Sequence, residues 1–149
     1  MNLGAQKFSN PGIHSLNALL LCLEGYVGDY KAEKKRIEGL NSRIREFLHS
    51  EIHDVDVAGD VAYGLPHLLS FSILYIDAQI LINKLDERGF AVDSGSACNS
   101  ANMEPSHVLA AMGILTHGNV RLTLHPTVKD EEIEEFLHVL KEEVAELRS

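Results

Sequence analysis

The sequence predicts an α+β fold: two N-terminal helices, then a small, mainly antiparallel four-stranded sheet with helices packed on one side. Apolar residues recur at helical spacing over residues 13–48, whereas four later segments show the short pattern of strands. Only two helical segments lie between those strands, too few to connect four parallel strands. The 149 residues, 45% of them hydrophobic, fit one domain over residues 1–149.

The two N-terminal helices are predicted from their apolar stripes. The first begins at Pro11, which suits a first helical turn, and weakens toward Gly25 and Gly28. Asp29 can cap the second helix. The stripes are Leu16, Leu19, Leu20, Leu23 and Val27 in the first helix, and Ile37, Leu40, Ile44, Phe47 and Leu48 in the second.

The remaining elements follow from residue 55 onward. Strand patterns cover residues 55–58, 68–76, 90–92 and 120–124. One helix starts after Asp77 and stops at Gly89, and a shorter one closes at Gly113. The last helix starts at Thr127 or Lys129, and its apolar stripe consists of Ile133, Phe136, Leu137, Leu140, Val144 and Leu147.

Composition narrows the classes of function. The net charge of −9 argues against a nucleic-acid partner. No apolar run reaches the roughly 18 residues of a membrane span, so no membrane partner is predicted. Cys22 and Cys98 stand in different contexts, which indicates no disulfide framework and favours a reducing, cytoplasmic location. The histidines show no metal-ligand spacing beyond the pair His49 and His53 at a helix end, and no metal site is predicted.

Cys98 is the first candidate for a catalytic residue. It lies in the middle of residues 93–102, a run of small and polar side chains that predicts an exposed loop. A buried cysteine behaves as a small hydrophobe, which fits Cys22 but not Cys98. A thiolate on such a loop can act as a nucleophile. The alternative is a loop cysteine with no role, since no adjacent His or Lys would activate it.

Arg121 is the second candidate. It stands in the middle of an alternating strand pattern, between Val120 and Leu122. Alternation alone is compatible with an arginine on the solvent face of a half-exposed strand. The functional interpretation is a bidentate clamp for a carboxylate or phosphate, which a guanidinium on a rigid strand suits well.

Three motifs resemble one family. The segment at 94–98 reads SGSAC, followed by EPSHVL at 104–109 and AMG at 111–113, and it resembles the active-site segment of NifS/IscS-like cysteine desulfurases. These are pyridoxal-phosphate enzymes of the class V aminotransferase family. VRLTL at 120–124 and DEEI at 130–133 resemble the family's substrate-arginine strand and closing helix. The resemblance covers nearly the whole chain, but only the family's small C-terminal domain.

The resemblance implies roles for both candidates. Cys98 would attack the sulfur of L-cysteine and become a persulfide while alanine leaves, and Arg121 would hold the substrate carboxylate. Pyridoxal phosphate is implied for the complete enzyme. No lysine here stands in the family's Ser-x-His-Lys context, so no cofactor is expected to bind this chain alone, and the large cofactor-binding domain is expected to be absent. That domain or subunit and a sulfur acceptor such as an Fe–S scaffold are the implied partners.

Two functions remain open at this point. The chain is either the C-terminal domain of a cysteine desulfurase, as a fragment or a split subunit that delivers sulfur to Fe–S clusters or other acceptors, or a non-enzymatic sulfur carrier or partner-binding module derived from that family. Without a large domain, apolar surface would be exposed, which predicts self-association.

Overall fold

The computed structural model of this chain describes residues 11–60, 62–94, 107–113, 115 and 118–149. Its helices are α1 (Pro11–Glu51), α2 (Ala78–Glu87), α3 (His107–Ala111) and α4 (Asp130–Leu147), and its strands are β1 (Val55–Ala58), β2 (Leu68–Ile73) and β3 (Asn119–Thr123). The chain divides into two compact units, Met1–Lys34 and Lys35–Ser149. The second unit contains the sheet, and the predicted α+β class is confirmed.

The N-terminal helix α1 is continuous, so the prediction of two helices is wrong. Its backbone stays helical through Gly25, Gly28 and Asp29, where the break was expected. A glycine inside a helix costs only about 1 kcal/mol relative to alanine, and no proline stands between Pro11 and Glu51 to remove a hydrogen bond. The run of strong helix formers after Asp29 outweighs these small costs.

The sheet has three antiparallel strands in the order β1-β2-β3, so the prediction of four strands is wrong. Residues 90–92 form no strand because Phe90, the first of them, is hydrogen-bonded to the end of α2. Gly89 has φ +91°, and the Phe90 N–H donates to a carbonyl of α2 at 2.8 Å, the hydrogen bonding of a glycine-terminated helix. The Phe90 ring also packs edge-on against Phe136, with ring centroids 5.6 Å apart. Among the described residues 90–94, pairing with β3 therefore occurs only at Asp93, the residue that follows this segment.

The register of the strands gives the sheet one apolar face and one polar face. Val57, Phe71 and Val120 are in register across the three strands, so their side chains share a face. Asp56, Ser72 and Asn119 are in register one position along and share the opposite face. The apolar face joins one core with residues of α1, α2 and α4, among them Ile44, Leu48, Leu81, Leu85, Ile133, Phe136, Leu137 and Leu140.

Two element ends differ in how well they match the prediction. β2 ends at Ile73, short of the predicted residue 76, and Tyr75 just beyond it has φ +65°, which lies outside the β region. The start of α4 agrees with the prediction: Lys129 is the N-cap, and its N–H donates to Glu132 Oε2 at 2.8 Å. Three acidic residues in the first turn of α4 complement the helix dipole.

Candidate functional site

Arg121 lies on the polar face of the sheet, on the edge strand β3. Its register partner on β2 is Ser70, and β3 is the last strand in the sheet order. The Arg121 side chain is 42% exposed. A guanidinium held on a strand and open to solvent has the geometry that a carboxylate-binding arginine needs.

Asp93 pairs with Arg121 at the free edge of β3. The Asp93 N–H donates to the Arg121 carbonyl at 3.0 Å, and the Arg121 N–H donates back to the Asp93 carbonyl at 2.6 Å. The side chains also form an ion pair, with Arg121 Nη2 3.7 Å from Asp93 Oδ2. Asp93, which precedes the predicted reactive cysteine by five positions, therefore lies directly beside Arg121.

Cys98 itself lies outside the described residues, so its predicted place on an exposed loop stays a prediction. It follows Asp93 by five positions in the sequence. An extended chain spans at most about 3.6 Å per residue. The pairing of Asp93 with Arg121 thus tethers Cys98 by a short length of chain to the strand that carries Arg121. The side chain of Cys22, predicted to fill the core, is also outside the description.

A buried hydrogen-bond network supports the polar face next to Arg121. Asn119 Nδ2 donates to Ser70 Oγ at 2.9 Å and to Ser72 Oγ at 3.1 Å. Ser72 Oγ donates to the Leu115 carbonyl at 2.6 Å, and the Leu115 N–H donates to Asp56 Oδ2 at 3.1 Å. Because Asn119 and Ser72 are buried, each needs such partners, and the network holds β3 in a fixed position.

The sequence pattern did not predict this network, although β2 contains a signal for it. Ser70 and Ser72 alternate with apolar residues along β2, which marks a second, polar face. Their partners could not be found from the pattern, because Asn119 meets them only through the register of β2 and β3.

Metal-ligating clusters and membrane-spanning helices are both absent from the described part of the chain. No group of three His, Cys, Asp or Glu side chains there could hold a metal ion. Across the same residues, no helix combines the length and apolar character needed to span a membrane.

Comparison with known proteins gives consistent matches. The family model for class-V aminotransferases matches residues 8–136. Cysteine desulfurase IscS of Photorhabdus laumondii is 34% identical over 123 residues, which cover 80% of this chain and 30% of that protein. A cysteine desulfurase of Trichormus azollae is 35% identical over 118 residues, which cover 77% of this chain and 30% of that protein. The chain thus spans about 30% of the length of these curated relatives.

Solved structures show a related fold. A NifS-like protein superposes with a TM-score of 0.66 at 25% identity, over 80% of this chain and 30% of the other. A NifS-like protein from Rickettsia africae superposes with a TM-score of 0.65, over 78% of this chain and 30% of the other. At 23% identity the latter likeness concerns the fold alone.

Proposed function

Because this chain belongs to the class-V aminotransferase family, we propose that it is the sulfur-accepting small domain of a cysteine desulfurase, with Cys98 as acceptor and Arg121 as the substrate-carboxylate clamp. The relatives named cysteine desulfurase, at 34% and 35% identity, support this choice within the family. The observation that supports it most directly is the pairing of Asp93 with Arg121, which starts the Cys98 segment beside the arginine.

The proposed chemistry assigns one task to each residue. Arg121 donates two parallel hydrogen bonds to the carboxylate of L-cysteine and so orients the substrate. The Cys98 thiolate attacks the substrate sulfur, a sulfur–sulfur bond forms and the carbon–sulfur bond breaks. The electron pair of that bond stays with the substrate carbon, which takes up a proton and leaves as alanine. Cys98 then holds the sulfur as a persulfide for an acceptor.

Pyridoxal phosphate, which acts as the electron sink in such chemistry, does not fit the described residues of this chain. A lysine that forms a Schiff base is activated by a lowered pKa, usually through burial. Among the described lysines none is buried, and hydrogen bonds to Glu143 and Glu146 raise the pKa of Lys84. We therefore assign the cofactor to a large domain or subunit that acts together with these residues.

The proposed partners follow from that assignment. They are the cofactor-binding domain, L-cysteine and a sulfur acceptor such as an Fe–S scaffold protein, in the cytoplasm. Self-association belongs to the proposal as well, because several large apolar side chains are exposed, including Tyr63, Leu65 and Tyr75. Light scattering over a range of concentrations measures it, and a strictly monomeric chain would contradict it.

The test of the proposed function is reconstitution. The chain is mixed with the cofactor-binding domain of a cysteine desulfurase, pyridoxal phosphate and L-cysteine, and alanine is measured. We expect alanine to form only when the chain is present and Cys98 is intact. Equal alanine from the Cys98→Ser variant would contradict the role of Cys98. Each product is compared with a mixture that lacks the chain.

A sulfur carrier without cofactor chemistry is the second candidate, favoured by the lack of a suitably placed lysine among the described residues. A polysulfide donor, offered without cofactor or partner, separates the two functions. Persulfide on Cys98 from that donor, together with no alanine in the reconstituted mixture, would favour the carrier.

A further inference from the structure

We propose that the Asp93 carboxylate pairs with the Arg121 guanidinium while no substrate is bound, and that the substrate carboxylate displaces the Asp93 carboxylate from it. Asp93 is then a positioning residue that sets the affinity of the carboxylate site. This inference deepens the proposed function and rests on it for the identity of the substrate.

Backbone hydrogen bonds hold Asp93 next to Arg121. Two hydrogen bonds, of 3.0 and 2.6 Å, join the two residues in both directions. Such a hydrogen-bonded antiparallel pair sets the distance between the two α-carbons and leaves both side chains on one face. The Asp93 carboxylate therefore stays near the guanidinium whether or not the side chains interact strongly.

The side-chain contact between Asp93 and Arg121 is weak. The distance of 3.7 Å from Arg121 Nη2 to Asp93 Oδ2 exceeds that of a direct hydrogen bond. Both side chains are about half exposed, at 42% for Arg121 and 53% for Asp93, so water screens the pair. A weak ion pair of this kind is readily displaced by a carboxylate that forms shorter hydrogen bonds to the guanidinium.

A free carboxylate can contact the Arg121 guanidinium more closely than Asp93 does. A carboxylate that approaches along the guanidinium plane accepts two short, charge-assisted hydrogen bonds. Asp93 is tied through its own backbone to the residue that it faces, and its side-chain contact of 3.7 Å is longer than such a hydrogen bond. A substrate carboxylate has no such tether, so it can displace Asp93 from the guanidinium.

Displacement of Asp93 by the substrate changes the contacts of a residue that lies shortly before Cys98 in the sequence. Asp93 is the last residue before Ser94 and the segment that leads to Cys98. When the substrate carboxylate binds Arg121, the Asp93 side chain loses this contact, while its two backbone hydrogen bonds to Arg121 remain. Occupation of the carboxylate site is thereby linked to the side-chain contact of Asp93, which lies five positions before Cys98 in the sequence.

A purely structural role for the pair makes a different prediction. If Asp93 and Arg121 only stabilise the sheet edge, removing the carboxylate lowers stability and leaves the affinity of Arg121 for other carboxylates unchanged. If Asp93 competes with the substrate, removing its charge tightens the binding of any small carboxylate at Arg121.

The experiment measures propionate binding by the whole chain alone. The NMR signal of the Arg121 Nε–H group, assigned by its loss in Arg121→Lys, is followed as propionate is added. We expect Asp93→Asn to lower the Kd for propionate about two- to five-fold, in line with the strength of a half-exposed ion pair. Asp93→Glu keeps the charge and should bind propionate as weakly as the wild-type chain.

The matched control is Asp86→Asn, which removes the same charge from an exposed position on α2. An unchanged Kd in Asp93→Asn, an equal decrease in Asp86→Asn, or no propionate binding in any variant would overturn the proposal. The measurement requires neither cofactor nor sulfur. A shifted Kd without alanine in the reconstituted mixture would refute the proposed function alone, and the reverse result would refute only the role of Asp93.

Discussion

Gly118 lies so close to the carbonyl oxygen of Ile73 that no side chain fits between them. The Gly118 carbonyl accepts a hydrogen bond from the Ile73 N–H at 3.1 Å, and Gly118 has φ +68°, a conformation that favours glycine. This contact sets the start of β3, the strand that presents Arg121. The position of the candidate site thus depends on a backbone contact at the start of β3, three residues before Arg121.

Replacing Gly118 with alanine should therefore destabilise the protein strongly. The left-handed backbone costs about 1–3 kcal/mol for a residue other than glycine, and displacement of Ile73 adds to that cost. We expect a loss of roughly 3 kcal/mol or more in the free energy of unfolding, measured in urea. Gly89→Ala is the control, because Gly89 has φ +91° but open space around its α-carbon. Equal losses in the two variants would contradict the importance of the contact.

Arg121→Lys should weaken substrate binding although the charge is kept. An ammonium group cannot form the two parallel hydrogen bonds of a guanidinium. Loss of such a charge-assisted contact raises the KM for L-cysteine about ten-fold or more in the reconstituted mixture. Arg88→Lys, which changes an exposed arginine paired with Glu142, is the control and should leave KM unchanged. An unaltered KM in Arg121→Lys would exclude the carboxylate clamp.

Glu143 carries a buried carboxylate that contacts two cationic side chains. Removing both cations should destabilise the protein more than removing Glu143 itself. Glu143 is only 5% exposed and contacts Lys84 Nζ at 2.9 Å and Arg88 Nη1 at 3.3 Å. The double variant Lys84→Met, Arg88→Met leaves a buried negative charge without a partner, which is strongly unfavourable. In Glu143→Leu both cations keep exposed partners, Glu146 and Glu142.

Urea unfolding should therefore show a larger loss of stability in the double variant than in Glu143→Leu. Adding Glu143→Leu to the double variant should restore part of that loss, since the unpaired charge is removed. A greater loss in Glu143→Leu than in the double variant would show that the ion pairs themselves carry the stability.

The pair of Glu51 and Lys141 should make stability depend on pH in the acid range. A hydrogen bond from Lys141, at 2.6 Å, and its positive charge lower the pKa of Glu51. A lowered pKa in the folded state means that the pair stabilises the protein above the ordinary glutamate pKa. This contribution is lost as pH falls through the lowered pKa of the folded state.

Lys141→Met should accordingly be less stable than the wild-type chain near neutral pH, and the difference should vanish in acid. Thermal unfolding at a series of pH values measures this, with Lys35→Met, an exposed position on α1, as control. A difference that persists unchanged at low pH would mean that Glu51 is not the group responsible.

The sequence pattern predicted most of the fold wherever one local signal dominates. The stripe from Ile133 to Leu147 and the acidic first turn predicted α4, and the alternation around Arg121 predicted β3. Residues 90–92 have strand character as well, but Gly89 and the distant Phe136 hold Phe90 away from a ladder. A local pattern contains no information about such a contact.

The candidate site was predictable only in part for a similar reason. Arg121 stood out because a charge interrupts an apolar alternation, and motifs around Cys98 supported a resemblance to one family. Ser70 lies opposite Arg121 through the register of β2 and β3, and Asp93 pairs with Arg121 through an isolated bridge at the sheet edge. These pairings depend on the fold as a whole, so they could not be inferred from spacing along the chain.

The most direct test of the central claim is to locate the transferred sulfur. The chain is incubated with the cofactor-binding domain, pyridoxal phosphate and L-cysteine, then alkylated and mapped by peptide mass spectrometry. We expect the Cys98 peptide to gain one sulfur atom, the Cys22 peptide to gain none, and Cys98→Ser to abolish the gain. A Cys98 peptide without added sulfur, or equal gains on both cysteines, would contradict the account.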